Sequence, residues 1–75
     1  MARLTLSMAM QIILNGQPHA LPEPTTLEAL LHSLGFEGKP VVVELNRDAI
    51  FPRDFPVTAV KAEDWIEIVT LAAGG

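Results

Sequence analysis

Apolar and polar positions alternate from the start of the chain. Leu4, Leu6, Met8, Met10, Ile12 and Leu14 share one parity, and Thr5, Ser7, Ala9 and Gln11 the other, the period of two that sets one face of a strand against a core. Asn15-Gly16 follows, and this pair suits a tight hairpin turn because both residues tolerate positive φ. A second strand is expected over 17–21. Pro18 has no N–H to give to a ladder, so this strand belongs at a sheet edge, and Pro22 and Pro24 close it.

The period then changes. Leu27, Leu30, Leu31 and Leu34 fall at i, i+3, i+4 and i+7, an apolar helix stripe that must cover a sheet face. Thr25-Thr26-Leu27-Glu28 reads as a capping box in which Thr25 accepts from the backbone near Glu28 and Glu28 reaches back. Gly35 stands where a left-handed cap is expected. Beyond it come a β-branched strand over 41–45, a turn at Asn46-Arg47-Asp48, a short apolar return over 49–51, and a loop from Pro52 to Pro56. The last strand, 65–71, runs almost directly into Ala72-Ala73-Gly74-Gly75. In it Ile66 and Ile68 are the expected core pair. Trp65 shares parity with Glu67, Val69 and Leu71, and that face is either a docking patch for a partner or a second layer of core.

At 75 residues the chain is one domain, and a domain of that size buries only about 60% of the surface its unfolded form exposes. Three Met in the first ten positions suggest that the folded unit is 10–75, with 1–9 an N-terminal extension from an upstream start, expected to be disordered. The competing reading is one long strand. There is no Cys, so any sulfur chemistry must use another molecule's sulfur. The net charge of −4 disfavours nucleic acid and anionic membrane as partners and favours a basic docking face. No apolar run is long enough to span a bilayer and no cleavage signal follows the opening segment, so the chain reads as cytoplasmic.

Catalytic machinery is not visible within the domain. His19 and His32 have no ligand partners at metal spacing and read as solvated surface residues. Glu63-Asp64 and Glu67 read as solvated charges, and no nucleophile, phosphate-loop or metalloprotease motif occurs. No bound metal or cofactor is expected. What remains is the diglycine end, which chance would supply about 0.5% of the time at average glycine usage. A Gly-Gly tail is thin enough to thread a narrow slit and carries an α-carboxylate on an unhindered carbon. It is read either as a carboxylate presented for activation by another protein or as an ordinary frayed terminus.

The order of these features resembles the ubiquitin-like β-grasp family, an α+β fold with a mixed four- to five-stranded sheet packed against one main helix. Within it the chain is similar to the thiamine-biosynthesis sulfur carriers of the ThiS/MoaD superfamily. The residues that carry the resemblance are Met10 through Gly16, Thr25-Thr26-Leu27 with Leu30-Leu31, Leu45-Asn46, Phe51-Pro52-Arg53, Asp64 through Val69, and Gly74-Gly75. It covers 10–75. One departure is local: such proteins usually have Gly before the Asp that opens the last strand, and this chain has Glu63, so that turn must use negative φ or bear strain.

The resemblance implies a carrier, not an enzyme. A ubiquitin-activating-like adenylyltransferase (ThiF type) would use Mg-ATP to convert the Gly75 carboxylate to an acyl-adenylate, and sulfur from a partner's persulfide would replace AMP to leave a thiocarboxylate. Thiazole synthase (ThiG type) would accept that sulfur. Gly74 would give clearance in the partners' channels, and Trp65, Val69 and Leu71 would form the docking face. The small subunit of molybdopterin synthase is the runner-up, although the segment from Asn46 to Arg53 favours the thiamine carrier. A protein-conjugating modifier, in which Gly75 joins a lysine, and a passive interaction domain are also compatible with the composition.

Overall fold

A computed structural model of the chain describes residues 10–71. The expectations for the segment 1–9 and for the tail 72–75, Gly74 and Gly75 included, lie outside the described residues. The first strand, β1 (Met10–Leu14), turns through Asn15 (φ 50°) and Gly16 (φ 82°) into β2 (Gln17–Leu21), the hairpin that Asn-Gly predicts. Two residues, β3 (Thr25–Thr26), lead into the helix α1 (Leu27–Ser33).

The helix start is one residue later than the capping-box expectation. Thr26, not Thr25, is the N-cap, and its Oγ1 accepts from the Ala29 N–H at 3.1 Å. Thr25 is held extended because it pairs with Val60, and Glu28 therefore sits one position too early in the helix for a reciprocal bond. The helix end is as expected. Gly35 adopts φ 87°, Phe36 N–H donates to the Leu31 carbonyl and Gly35 N–H to the His32 carbonyl, a Schellman closure that brings Phe36 down beside the core.

After α1 come β4 (Val41–Leu45), β5 (Asp48–Ile50), β6 (Ala59–Val60) and β7 (Trp65–Thr70). The turn between β4 and β5 is only Asn46-Arg47, both at positive φ, so Asp48 already belongs to the return strand. The segment expected as loop is a 3-10 helix over Pro52–Val57, which opens on a proline and packs against α1. Its Phe55 is half-buried against the core.

Five strands form one mixed sheet in the order β2-β1-β7-β4-β5, with β1 and β7 parallel and the other neighbours antiparallel, and β3 with β6 makes a separate two-stranded ladder. Pro18 lies on the edge strand, as its missing donor requires. The core lies between sheet and helix. Ile12, Val43, Ile66 and Ile68 from the sheet meet Leu27, Leu30 and Leu31 from α1, with Leu21 and Val60 at the margins. Burying each such side chain contributes roughly 1.5–3 kcal/mol, which is what holds a helix of only seven residues in place.

Candidate functional site

The strand that leads to the tail occupies the centre of the sheet and is fastened at three points. At its start, Asn46 N–H donates to the Trp65 carbonyl (2.7 Å) and Asn46 Oδ1 accepts from the Trp65 N–H (2.9 Å). Asn46 Nδ2 also donates to Asp64 Oδ1 (3.0 Å), while Asp64 Oδ2 accepts from the Lys61 N–H (2.7 Å). Asp64 is therefore a turn-forming acceptor as well as a partly exposed charge. In mid-strand, the Asn15 side chain takes the place of a peptide group: Oδ1 accepts from the Ile68 N–H (2.7 Å) and Nδ2 donates to the Ile68 carbonyl (3.3 Å). At the far end, Leu71 N–H donates to the Pro40 carbonyl at 3.0 Å.

Glu63 sits at φ 69° between Lys61 and Asp64, so of the two conformations foreseen for this turn the strained one is adopted. Its N–H donates to the Gln11 carbonyl at 2.7 Å, which ties the strained residue to β1.

Parity along β7 divides as expected. Ile66 and Ile68 are buried, whereas Trp65, Val69 and Leu71 are 47, 56 and 50% exposed on the face away from α1. No layer of the domain covers that face among the described residues, so the second-core reading of Trp65 does not hold. Strand pairing adds residues that the sequence reading passed over. Val42, 44% exposed, lies opposite Val69, Ile13 lies opposite Trp65, and Glu44 lies opposite Glu67. The signal for Val42 and Glu44 was present in the alternation of 41–45. Trp65 Nε1 donates to Glu67 Oε2 at 3.2 Å, and Glu44, Arg47, Trp65 and Glu67 line a shallow depression of about 350 Å³.

The histidines lie elsewhere. His32 is exposed and pairs with Glu37 at 2.6 Å. His19 departs from the solvated reading: it is half-buried, because on β2 it faces inward opposite Ile12. A groove of about 540 Å³ on the helix side is lined by Leu31, Phe36, Val41 and Phe55 among others, and holds none of the predicted site residues. Among the described residues no group of His, Asp and Glu is placed to hold a metal ion, and no helix is long and apolar enough to cross a membrane.

A mixed five-stranded sheet that grips one helix, leaves its other face open and ends on its central strand defines a ubiquitin-like β-grasp domain. Over residues 12–75 the chain matches the model of the ThiS family. It is 39% identical over 62 residues to the sulfur carrier protein ThiS of Thermus thermophilus, covering 83% of this chain and 95% of that one. The crystal structure of the thiamine biosynthesis protein (ThiS) from Geobacter metallireducens superposes with a TM-score of 0.76 at 30% identity, over 88% of this chain and all of the other. The chain belongs to the ThiS family. It is also 39% identical over 66 residues to the thiazole synthase of Magnetococcus marinus, covering 88% of this chain but only 20% of that protein. The chain thus spans about a fifth of the length of the thiazole synthases it matches.

Proposed function

We propose that this protein is the sulfur carrier of thiamine (thiazole) biosynthesis, with the carboxylate of Gly75 as the group that carries the sulfur. The observation that bears the reading is the central strand: β7 is anchored as far as Leu71, and the family match runs on through Gly75. Fully extended, the four residues after Leu71 reach at most about 14 Å. A partner's reaction centre must therefore lie close to where the open sheet face docks. Contacts made by Trp65, Val69 and Leu71 supply part of the binding energy that brings the Gly75 carboxylate to that centre.

In this reading the protein is a co-substrate. A ThiF-type adenylyltransferase, using Mg-ATP, transfers AMP to the Gly75 carboxylate with loss of pyrophosphate, which converts a poor electrophile into one with a good leaving group. The terminal sulfur of a partner's persulfide attacks the carbonyl carbon and AMP departs. A thiol then cleaves the resulting disulfide, releasing the thiocarboxylate for a ThiG-type thiazole synthase. Gly74 supplies clearance, and no metal or cofactor resides on the carrier itself. Relatives named for thiamine and thiazole synthesis support this pathway over molybdopterin synthase.

The test is intact mass after incubation with the adenylyltransferase, ATP and a persulfide donor. The expected product gains the mass of sulfur replacing one oxygen, located on the C-terminal fragment. Formation of isopeptide conjugates with lysines instead would identify a protein modifier.

A further inference from the structure

The open sheet face contains a charge arrangement that the fold compensates only in part, through the hydrogen bond from Trp65 Nε1 to Glu67 Oε2. Glu44 and Glu67 are register partners on adjacent strands, so their side chains rise side by side, and like charges directly opposite one another destabilise a sheet. Among the described residues neither carboxylate takes part in a salt bridge. Arg47 lines the same depression, which leaves one negative charge in excess. On the same face of β7 the neighbours on both sides are apolar: Trp65 precedes Glu67, with Ile13 opposite it, and Val69 follows, with Val42 opposite it.

That placement constrains what docks. A partner that covers the two apolar patches also covers the carboxylates between them, and an unpaired carboxylate resists removal from water more strongly than the neighbouring apolar contacts favour it. The occupant must bring a cation. A guanidinium suits the site best, because its planar fork accommodates two carboxylates while its face stacks on the adjacent indole.

We propose that thiazole synthase reads this face by setting one arginine or lysine between Glu44 and Glu67, against Trp65, while its apolar side chains cover Val42, Val69 and Leu71. Thiazole synthase is chosen because proteins of that name include a segment similar to this chain, so carrier and synthase occur together within one polypeptide. The inference rests on the docking face described under the proposed function and adds the chemistry of its occupant.

The experiment is calorimetric titration of the full-length carrier with purified thiazole synthase at about 50 mM and about 300 mM salt, where screening differs strongly. Glu44→Gln and Glu67→Gln should each weaken binding at low salt by about tenfold or more and flatten its salt dependence, with melting temperature unchanged or raised. Arg47→Asn, which removes the competing internal cation, should leave binding equal or tighter. Parent-like affinity in both glutamine variants overturns the proposal. So does an equal loss in Arg47→Asn, which would make the chain's own arginine the counter-ion. Trp65→Ala and Val69→Ala separate the two levels. If they weaken binding while the glutamine variants do not, the docking face stands and the cation falls; if none has an effect, the docking face falls as well.

Discussion

Asn15 offers the most direct test of how the central strand is held, because its amide does what a continued β1 would have done. Beyond Leu14 the chain turns away, and the Ile68 N–H on that side of β7 finds its acceptor in Asn15 Oδ1. Substitution by glycine removes the amide but keeps the positive φ accessible. A partly buried N–H left without an acceptor costs about 1–3 kcal/mol. Glycine's extra freedom in the unfolded chain adds about 0.5–1 kcal/mol. Asn15→Ala loses the same bonds and must also hold a Cβ in the left-handed region, about 1–2 kcal/mol. Alanine should therefore lie below glycine by about 0.5–1 kcal/mol. Asn15→Asp keeps the acceptor for the Ile68 N–H but loses the Nδ2 donor to the Ile68 carbonyl, so it should lie between the parent and Asn15→Gly.

These are large fractions of the roughly 4–11 kcal/mol expected for a chain of this length. At about 4–8 °C per kcal/mol, Asn15→Gly should melt at least about 6 °C below the parent, read by circular dichroism with urea denaturation as a check. Hydrogen exchange adds a local measure, since the Ile68 amide should lose protection in both apolar variants and keep it in Asn15→Asp. Glycine and alanine variants with parent-like melting and an Ile68 amide that still exchanges slowly would refute the reasoning.

Leu30→Ala and Leu31→Ala should each destabilise by about 2–5 kcal/mol in urea denaturation, because both side chains are buried beneath the helix and leave a cavity. Glu63→Gly should raise stability by about 0.5–1 kcal/mol by relieving the positive φ, measured in the same way, and a destabilised variant would show that the Glu63 side chain matters more than its backbone. Gly74→Val, or one residue appended after Gly75, should abolish thiocarboxylate formation in the mass assay while melting stays unchanged. Thiazole formation by an extended, untrimmed carrier would remove Gly75 from the mechanism.

The elements defined by local pattern were legible in the sequence. Asn15-Gly16 fixed its turn, the leucine spacing its helix, and the parity of 65–71 separated Ile66 and Ile68 from the residues that face outward. Departures arose where a distant contact decides between local options. Both Thr25 and Thr26 have a capping side chain, and only the pairing of Thr25 with Val60 assigns the cap to its neighbour. Val60 is buried in a strand of two residues, too short to generate a period. The prolines of Pro52–Val57 signal a break in regular structure equally well for loop and for 3-10 helix, and Phe55 turning inward is a tertiary event. The side-chain clamps of Asn15 and Asn46 were hidden for the same reason: each needs β7, far along the chain, to have an acceptor or donor to meet.

The central position of β7 also dictates when the protein can fold. Of the described strands, β7 is synthesised after the others and is the one that joins the two hairpins, and the Asn15–Ile68 contact spans 53 positions. Until β7 has left the ribosome, β1-β2 and β4-β5 have no shared neighbour, and the inner faces of Ile12 and Val43 have no strand between them. Closure of the sheet rests on contacts between residues far apart in the chain, which must be made against loop-closure entropy. A chain cut short before Trp65 would lack the strand that completes the sheet and, with it, the base of the tail, so proteolytic quality control would meet an open intermediate and not a compact carrier without its tail.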